Sequence, residues 1–254
     1  MSMQQPPKVI VCRPEPKATE LVEQLNKCDI SAVVIEPFII NYLPFELNAI
    51  DRVTDMIFTS TFAVEAFFHQ MVPIDMLDDK KIWAIGEATK AKLKAFGLSA
   101  IAPQHADSEG LLEVMDYSAD VLSKGHFLIV KGEGGREYLA YALANKVKKL
   151  TMVDCYRRVF VSKHDLVQQL QSIDSQTAPC VILYTSFDAM QATMAMFDLY
   201  PSWRNESIVT VTNTRMLSWA KCQGFVKLYL LEKLSNDALI NTLMTLLKKG
   251  MVRW

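Results

Sequence analysis

Phe58-Thr59-Ser60-Thr61-Phe62-Ala63-Val64 reads against Tyr184-Thr185-Ser186-Phe187-Asp188-Ala189-Met190, 126 positions further along the chain. Gly97 answers to Gly224 and Ser108 to Ser235, each 127 apart. Val11-Cys12-Arg13 pairs with Val130-Lys131-Gly132, and Glu36-Pro37 with Cys155-Tyr156, at a spacing of 119. Agreement at long spacings marks a duplicated unit. The two spacings differ, so the repeat does not run through the chain at one fixed offset. At 254 residues the chain then holds two similar domains of roughly 110–130 residues each.

Between these motifs, short β-branched runs alternate with amphipathic stretches. Strands are predicted at Val9–Cys12, Ala32–Glu36, Met56–Thr59, Ile82–Ile85, Phe127–Val130, Thr151–Asp154, Cys180–Tyr184, Ile208–Val211 and Val226–Leu230. Most are continuous apolar runs, as parallel strands covered on both faces require. The clearest helix is Asn236–Lys248, where Leu239, Leu243, Leu246 and Leu247 form one stripe behind the capping residue Ser235. Strands alternating with helices give an α/β fold with parallel sheets. Two closures remain open at this point. Each half closes on itself with a break near residue 125, or the first piece completes its sheet with the last pieces while the second copy of that piece completes the middle. In the second case the chain crosses between domains near Pro37–Phe45 and Tyr156–Lys163.

Half of the residues are hydrophobic, enough for an ordinary core in each domain, and the formal net charge is −1. That charge gives no general attraction to nucleic acid or to an anionic membrane. No apolar run approaches the roughly 18 residues of a spanning helix, and the polar Met1–Pro7 start carries no signal-peptide core. Five scattered cysteines without a CxxC suit a reducing cytoplasm. His69, His105, His126 and His164 share no ligand spacing, which argues against a metal site, and His105 and His126 are predicted at the surface. No serine lies in GxSxG, and Cys12 and Cys155 lie in strands without a partner base. Asp78-Asp79 and Lys248-Lys249 read as solvated faces, and the tryptophans and methionines as packing. A receiver-like module is disfavoured, because Asp55 begins its strand and no acidic cluster forms at a strand end.

In parallel sheets, ligands bind beyond the carboxyl ends of the strands, where helix N-termini point. The repeated motifs all sit there. Ser60 and Ser186 end strands and open helices, Gly86 ends a strand ahead of Thr89, and Ser108 and Ser235 are read as caps. Each is at least an N-cap, and a capped terminus still presents backbone N–H donors. Gly132-Glu133-Gly134-Gly135-Arg136 gathers three of the nine glycines after a strand. Flanked by Lys131 and Arg136, it reads as an anion-binding loop, though its spacing matches neither GxGxxG nor the P-loop.

In this order the motifs resemble those of the uroporphyrinogen-III synthase family, over about Val9 to Leu247. Arg13-Pro14 resembles the family's opening strand end, and Phe58-Thr59-Ser60 with Ala63-Val64 its TSxxAV. Ile85-Gly86-Glu87-Ala88-Thr89, Ser108 with Leu111-Leu112, Gly132 through Arg136, Tyr156-Arg157-Arg158 and Thr185-Ser186 follow in sequence. The chain departs from the family at Val211-Thr212-Asn213-Thr214-Arg215, where a glycine and threonine are usual; Thr212 and Asn213 are carried over as contacts.

The resemblance implies two flavodoxin-like domains joined by a two-stranded linker, with the site in the cleft between them. It selects the permuted closure: residues 1–37 with 164–254 as one domain, 45–156 as the other, and crossings at 38–44 and 157–163. It implies a cytoplasmic monomer without metal or cofactor, with no nucleic-acid or membrane partner and a transient contact with the upstream synthase. The implied substrate is hydroxymethylbilane, bearing eight carboxylates and closed with loss of water and inversion of ring D. Tyr156 is the implied acid at the leaving hydroxyl. Arg13, Ser60, Gly86, Thr89, Ser108, Lys131, Gly132, Gly134, Gly135, Arg136, Ser186, Thr212 and Asn213 are the implied substrate contacts. The competing reading is a non-catalytic two-domain protein that binds a small polycarboxylate.

Overall fold

The computed structural model describes residues 8–105, 107–115, 119–134, 137–171, 173 and 177–250, with side chains for all of these but 119–121 and 249–250. The chain opens with β1 (Val9–Cys12), α1 (Lys17–Lys27), β2 (Ala32–Ile35) and β3 (Phe38–Tyr42). It continues through β4 (Asp55–Phe58), α2 (Thr61–His69), β5 (Lys81–Ala84), α3 (Glu87–Ala95), α4 (Ser108–Val114) and α5 (Ala119–Lys124). Next come β6 (His126–Gly132), α6 (Tyr138–Ala144), β7 (Lys149–Phe160) and α7 (Lys163–Gln171). The last stretch holds β8 (Val181–Tyr184), α8 (Phe187–Ala192), α9 (Met196–Leu199), α10 (Trp203–Glu206), β9 (Ile208–Val211), α11 (Thr214–Cys222), β10 (Lys227–Leu230) and α12 (Asn236–Gly250). Among the described residues no helix is long and apolar enough to cross a membrane.

Two compact units result, Met1–Ile39 with Val159–Trp254 (unit 1) and Ile40–Arg158 (unit 2). In unit 1 the sheet order is β2-β1-β8-β9-β10, the flavodoxin-like 2-1-3-4-5 arrangement, and all of its pairs are parallel. Unit 2 is ordered β5-β4-β6-β7, again parallel, with β3 beyond β7. The strands that carry the serine motif, β8 and β4, are flanked by β9 or β5 on one side. On the other side lie β1 or β6, and then β2 or β7. A parallel bridge between Trp83 and Ile101 stands where β10 stands in unit 1. Unit 2 is therefore a permuted copy of unit 1.

The continuous apolar runs are strands buried on both faces. In β4, Met56 and Phe58 join Ile82, Leu128 and Val130 under α2, while Ile57 points the other way into a cluster with Trp83, Phe127, Ile129, Leu139 and Leu143. In unit 1, Val9, Val11, Val181 and Leu183 pack beneath Leu21 and Leu25 of α1 and beneath Leu239, Leu243, Leu246 and Leu247 of α12. Each such leucine contributes about 1.5–3 kcal/mol relative to exposure.

Three readings from the residues change. Phe38–Tyr42 is absent from the strands read from hydrophobic pattern and enters only through the two-stranded linker that the resemblance implies, and β7 is far longer than the predicted Thr151–Asp154. Here the crossing segments satisfy each other's backbone groups. The Leu43 N–H donates to the Cys155 carbonyl at 2.8 Å and the Val161 N–H to the Pro37 carbonyl at 2.9 Å, so the pair runs antiparallel. His126 is not a surface residue. It is 8% exposed at the start of β6, with Nε2 2.8 Å from Thr151 Oγ1.

Burial lowers the His126 pKa below its ordinary 6.5, and the charges of Lys149 and Lys80 act in the same sense. The unfolded chain therefore takes up this proton at a higher pH than the native one. Stability from neutral His126 is present above about pH 6.5 and is lost as the pH falls below it. His126→Asn should accordingly show a smaller fall in melting temperature than the parent between pH 7.5 and 5, measured by scanning calorimetry; equal falls would refute this.

Candidate functional site

In unit 2, β4, β5, β6 and β7 run parallel, so their carboxyl ends share one edge. Thr59 fixes the exit of β4, its N–H and hydroxyl both donating to the Val130 carbonyl at 3.1 and 3.2 Å. Ser60 then caps α2, with Oγ accepting the Ala63 N–H at 3.0 Å. The same Oγ lies 3.1 Å from Tyr156 Oη, and either oxygen can donate. Tyr156 is 3% exposed, its ring set against Phe62 with centroids 5.9 Å apart. Arg158 Nη2 points at the same phenol oxygen from 3.5 Å, with the guanidinium 5.7 Å from the ring centroid.

The turn after β6 approaches this tyrosine closely. A bulge between Lys131 and Gly132 brings Gly132 opposite Tyr156, and the Glu133 N–H donates to the Tyr156 carbonyl at 2.8 Å. Glu133 also holds Arg157 through two contacts of 2.9 Å. Gly134 has φ +70°, a conformation that favours glycine. Lys131 directs its ammonium at Asp154 Oδ1, 2.7 Å away, and at the Gly132 carbonyl, 3.1 Å away. Gly135 and Arg136 lie outside the described residues.

Elsewhere on this edge, Gly86 occupies the N-cap position of α3 and brings no side-chain acceptor, while Thr89 is buried at 3% exposure. Ser108 does not cap α4. The cap is Asp107, whose Oδ1 accepts the Gly110 N–H at 2.7 Å; a carboxylate at that terminus also complements the helix dipole. Cys155 is buried with its Sγ 3.3 Å from the Lys131 carbonyl, and burial pushes its thiol up to about 12. That thiol stays protonated and is no nucleophile.

Unit 1 presents the corresponding edge with different side chains. Ser186 caps α8 by accepting the Ala189 N–H at 3.2 Å, as Ser60 does for α2. Arg13, following β1, is 9% exposed and donates from Nη1 to Asn236 Oδ1 at 2.9 Å. Burial lowers its pKa, and Glu20 acts in the opposite sense. At the point of departure from the family, Asn213 takes the cap of α11, its Oδ1 accepting the Met216 N–H at 2.8 Å. Thr212 is occupied locally, receiving Asn213 Nδ2 at 3.3 Å and donating to Met216 Sδ at 3.7 Å.

The structure thus gathers Ser60, Gly132 and Tyr156 at one edge and Arg13, Ser186, Thr212 and Asn213 at strand ends of the other unit. Arg158 stands in the sequence only within the Tyr156-Arg157-Arg158 motif, with no site role of its own. Residues i and i+2 of a strand share a face, so it would have been placed beside Tyr156 had β7 been read past Asp154.

Two parallel-sheet units, one a permuted copy of the other and each with polar residues at its strand ends, define a two-domain α/β protein. The profile described as uroporphyrinogen-III synthase HemD matches residues 19–240, and the chain belongs to that family. The family is one of cyclising lyases of haem biosynthesis. The uroporphyrinogen-III synthase of Escherichia coli strain K12 is 24% identical over 256 residues, spanning 92% of this chain and 99% of that one. Among solved structures, uroporphyrinogen-III synthetase from Helicobacter pylori 26695 is similar with a TM-score of 0.65 at 14% identity, covering 94% of this chain and 99% of its own. A mutant uroporphyrinogen III synthase from the extremely thermophilic bacterium Thermus thermophilus gives 0.60 at 13% identity, covering 96% and 98%. These two establish the shared fold.

The cap assignment has a direct test. Asp107→Ala should cost about 1 kcal/mol in urea denaturation, and Ser108→Ala less than about 0.5. The reverse order would return the cap to Ser108.

Proposed function

We propose that this chain closes hydroxymethylbilane to uroporphyrinogen III, with the Tyr156–Ser60 pair as the proton source for the leaving hydroxyl. The observation that carries this reading is the 3.1 Å contact between Tyr156 Oη and Ser60 Oγ at the carboxyl edge of a parallel sheet. Tyr156 is buried and Ser60 half-buried, so the serine is the outer member of the pair. As the C–O bond breaks, its electron pair leaves with the oxygen. Ser60 gives that oxygen a proton and receives one from Tyr156, and water departs. Electron density from the pyrrole nitrogen fills the vacated carbon, giving the azafulvene electrophile. Ring D attacks it through its substituted carbon, and the spiro intermediate rearranges with the ring inverted. The proton shed when the pyrrole regains aromaticity returns to the phenolate. Arg158, 3.5 Å from Oη, opposes the negative charge that develops there.

The substrate's carboxylates call for dispersed donors, and helix N-termini offer them without burying many lysines. The bilane also closes unaided to isomer I, so a transient contact with the synthase that makes it would shorten its exposure. Five free cysteines fit a reducing compartment, the cytoplasm.

Purified protein given fresh hydroxymethylbilane should yield predominantly isomer III, read by chromatography after oxidation. Isomer I alone at the spontaneous rate would reject the enzyme and leave a polycarboxylate-binding protein. Tyr156→Phe should lower kcat by about 10²-fold or more with little change in KM. Unchanged turnover would remove the tyrosine from the chemistry.

A further inference from the structure

We infer that Gly132 is a positioning residue: its missing side chain is the seat that lets the Tyr156 phenol reach Ser60, and this confines the chemistry to one of the two duplicated edges. The inference rests on the reading of Tyr156 given above. A Cβ built on Gly132 would collide with Tyr156 Cζ, and would come within 2.7 Å of Cε2 and 2.8 Å of Oη. Carbon atoms meet comfortably only at about 3.5–4.0 Å. Any side chain at 132 therefore drives the phenol out of its present place. The need for glycine is steric and lies in this contact.

The backbone does not yield here. Tyr156 is fixed across the bulge by the Glu133 N–H on its carbonyl at 2.8 Å, and Arg157 is held by Glu133 at 2.9 Å. The flexible member is the ring, hinged at Cα and lodged beside Phe62. A methyl at 132 consequently displaces Oη from Ser60 while leaving the strand pairing intact.

The duplication supplies an internal comparison. By the 119-residue spacing, Gly132 corresponds to Arg13 and Tyr156 to Pro37. Both units keep the capping serine, Ser60 and Ser186. Unit 1 carries a full side chain at the end of its central strand, and Arg13 spends it on Asn236. With proline at the Tyr156 position there is no phenol to seat. The glycine and the tyrosine thus form a matched pair present in one copy and replaced as a pair in the other.

The test is a mutant cycle on the full chain. Gly132→Ala should lower kcat about tenfold or more with KM within about threefold. In a Tyr156→Phe background, which has no hydroxyl to misplace, the same substitution should change kcat by less than about twofold. Equal losses in both backgrounds would overturn the seat and make Gly132 a backbone contact to substrate. A second cycle reads stability without activity. Gly132→Ala should lower the melting temperature in the parent, and the loss should vanish in Tyr156→Ala, where no ring meets the new methyl. The same loss in both would again overturn the inference. If Gly132→Ala fails to fold, recovery of folding in the double variant supports the seat and continued failure refutes it. Should Tyr156→Phe prove fully active while the stability cycle is non-additive, the acid role falls and the seat stands.

Discussion

Unit 1 exists because β1 pairs with β8. Val9–Cys12 lies in parallel register with Val181–Tyr184, and that one ladder ties the start of the chain to a segment some 170 residues later. Closing so long a loop costs less than intuition holds, since the entropy grows only as the logarithm of length, about 0.6 kcal/mol per doubling. The ladder repays it with apolar side chains buried on both faces: Val9, Val11, Val181 and Leu183 under α1 and α12, with Ile10 and Ile182 directed oppositely. Unit 2 solves the same problem locally through β4 and β6, fewer than 80 residues apart.

Parallel pairing also decides where chemistry can occur. A strand can join a parallel neighbour only by a crossover, so strand ends and helix starts collect at one edge of each sheet. Ser60 and Ser186 are caps first, satisfying amides that would otherwise lack partners. Of these two caps, and among the described residues, Ser60 is the one with a phenol within hydrogen-bonding distance of the capping oxygen. The polar network behind Ser186 is of another kind. Tyr184 bonds Thr193 through its phenol and Thr210 through its backbone, with all three residues fully buried, which fixes the end of β8.

The sequence was most legible where a residue's neighbours along the chain decide its role. Alternating apolar runs and helical stripes located nine of the ten described strands and the leucine face of α12. It misled where a role depended on a distant partner. His126 reads as a surface position but is buried at the start of β6, bonded to Thr151 on the neighbouring strand. Phe38–Tyr42, between Pro37 and Pro44, reads as a linker, because nothing local reveals that β7 will accept its hydrogen bonds. Ser108 and Asp107 are both good caps, and only the turn geometry distinguishes them.

By itself, then, the sequence determined that two copies of one α/β unit were present, that their strands were buried and parallel, and that polar residues would collect at strand ends. Those properties follow from periodicity and spacing, which are local or self-referential. Periodicity could not decide which pieces share a sheet, because both closures satisfy it and differ only in long-range pairing; the motif resemblance favoured the permuted closure, and the tertiary structure shows the pairing itself. It alone showed why Gly132 is glycine. The Cβ it lacks would collide with the ring of Tyr156, 24 residues away, and that contact exists only once β6 and β7 lie side by side.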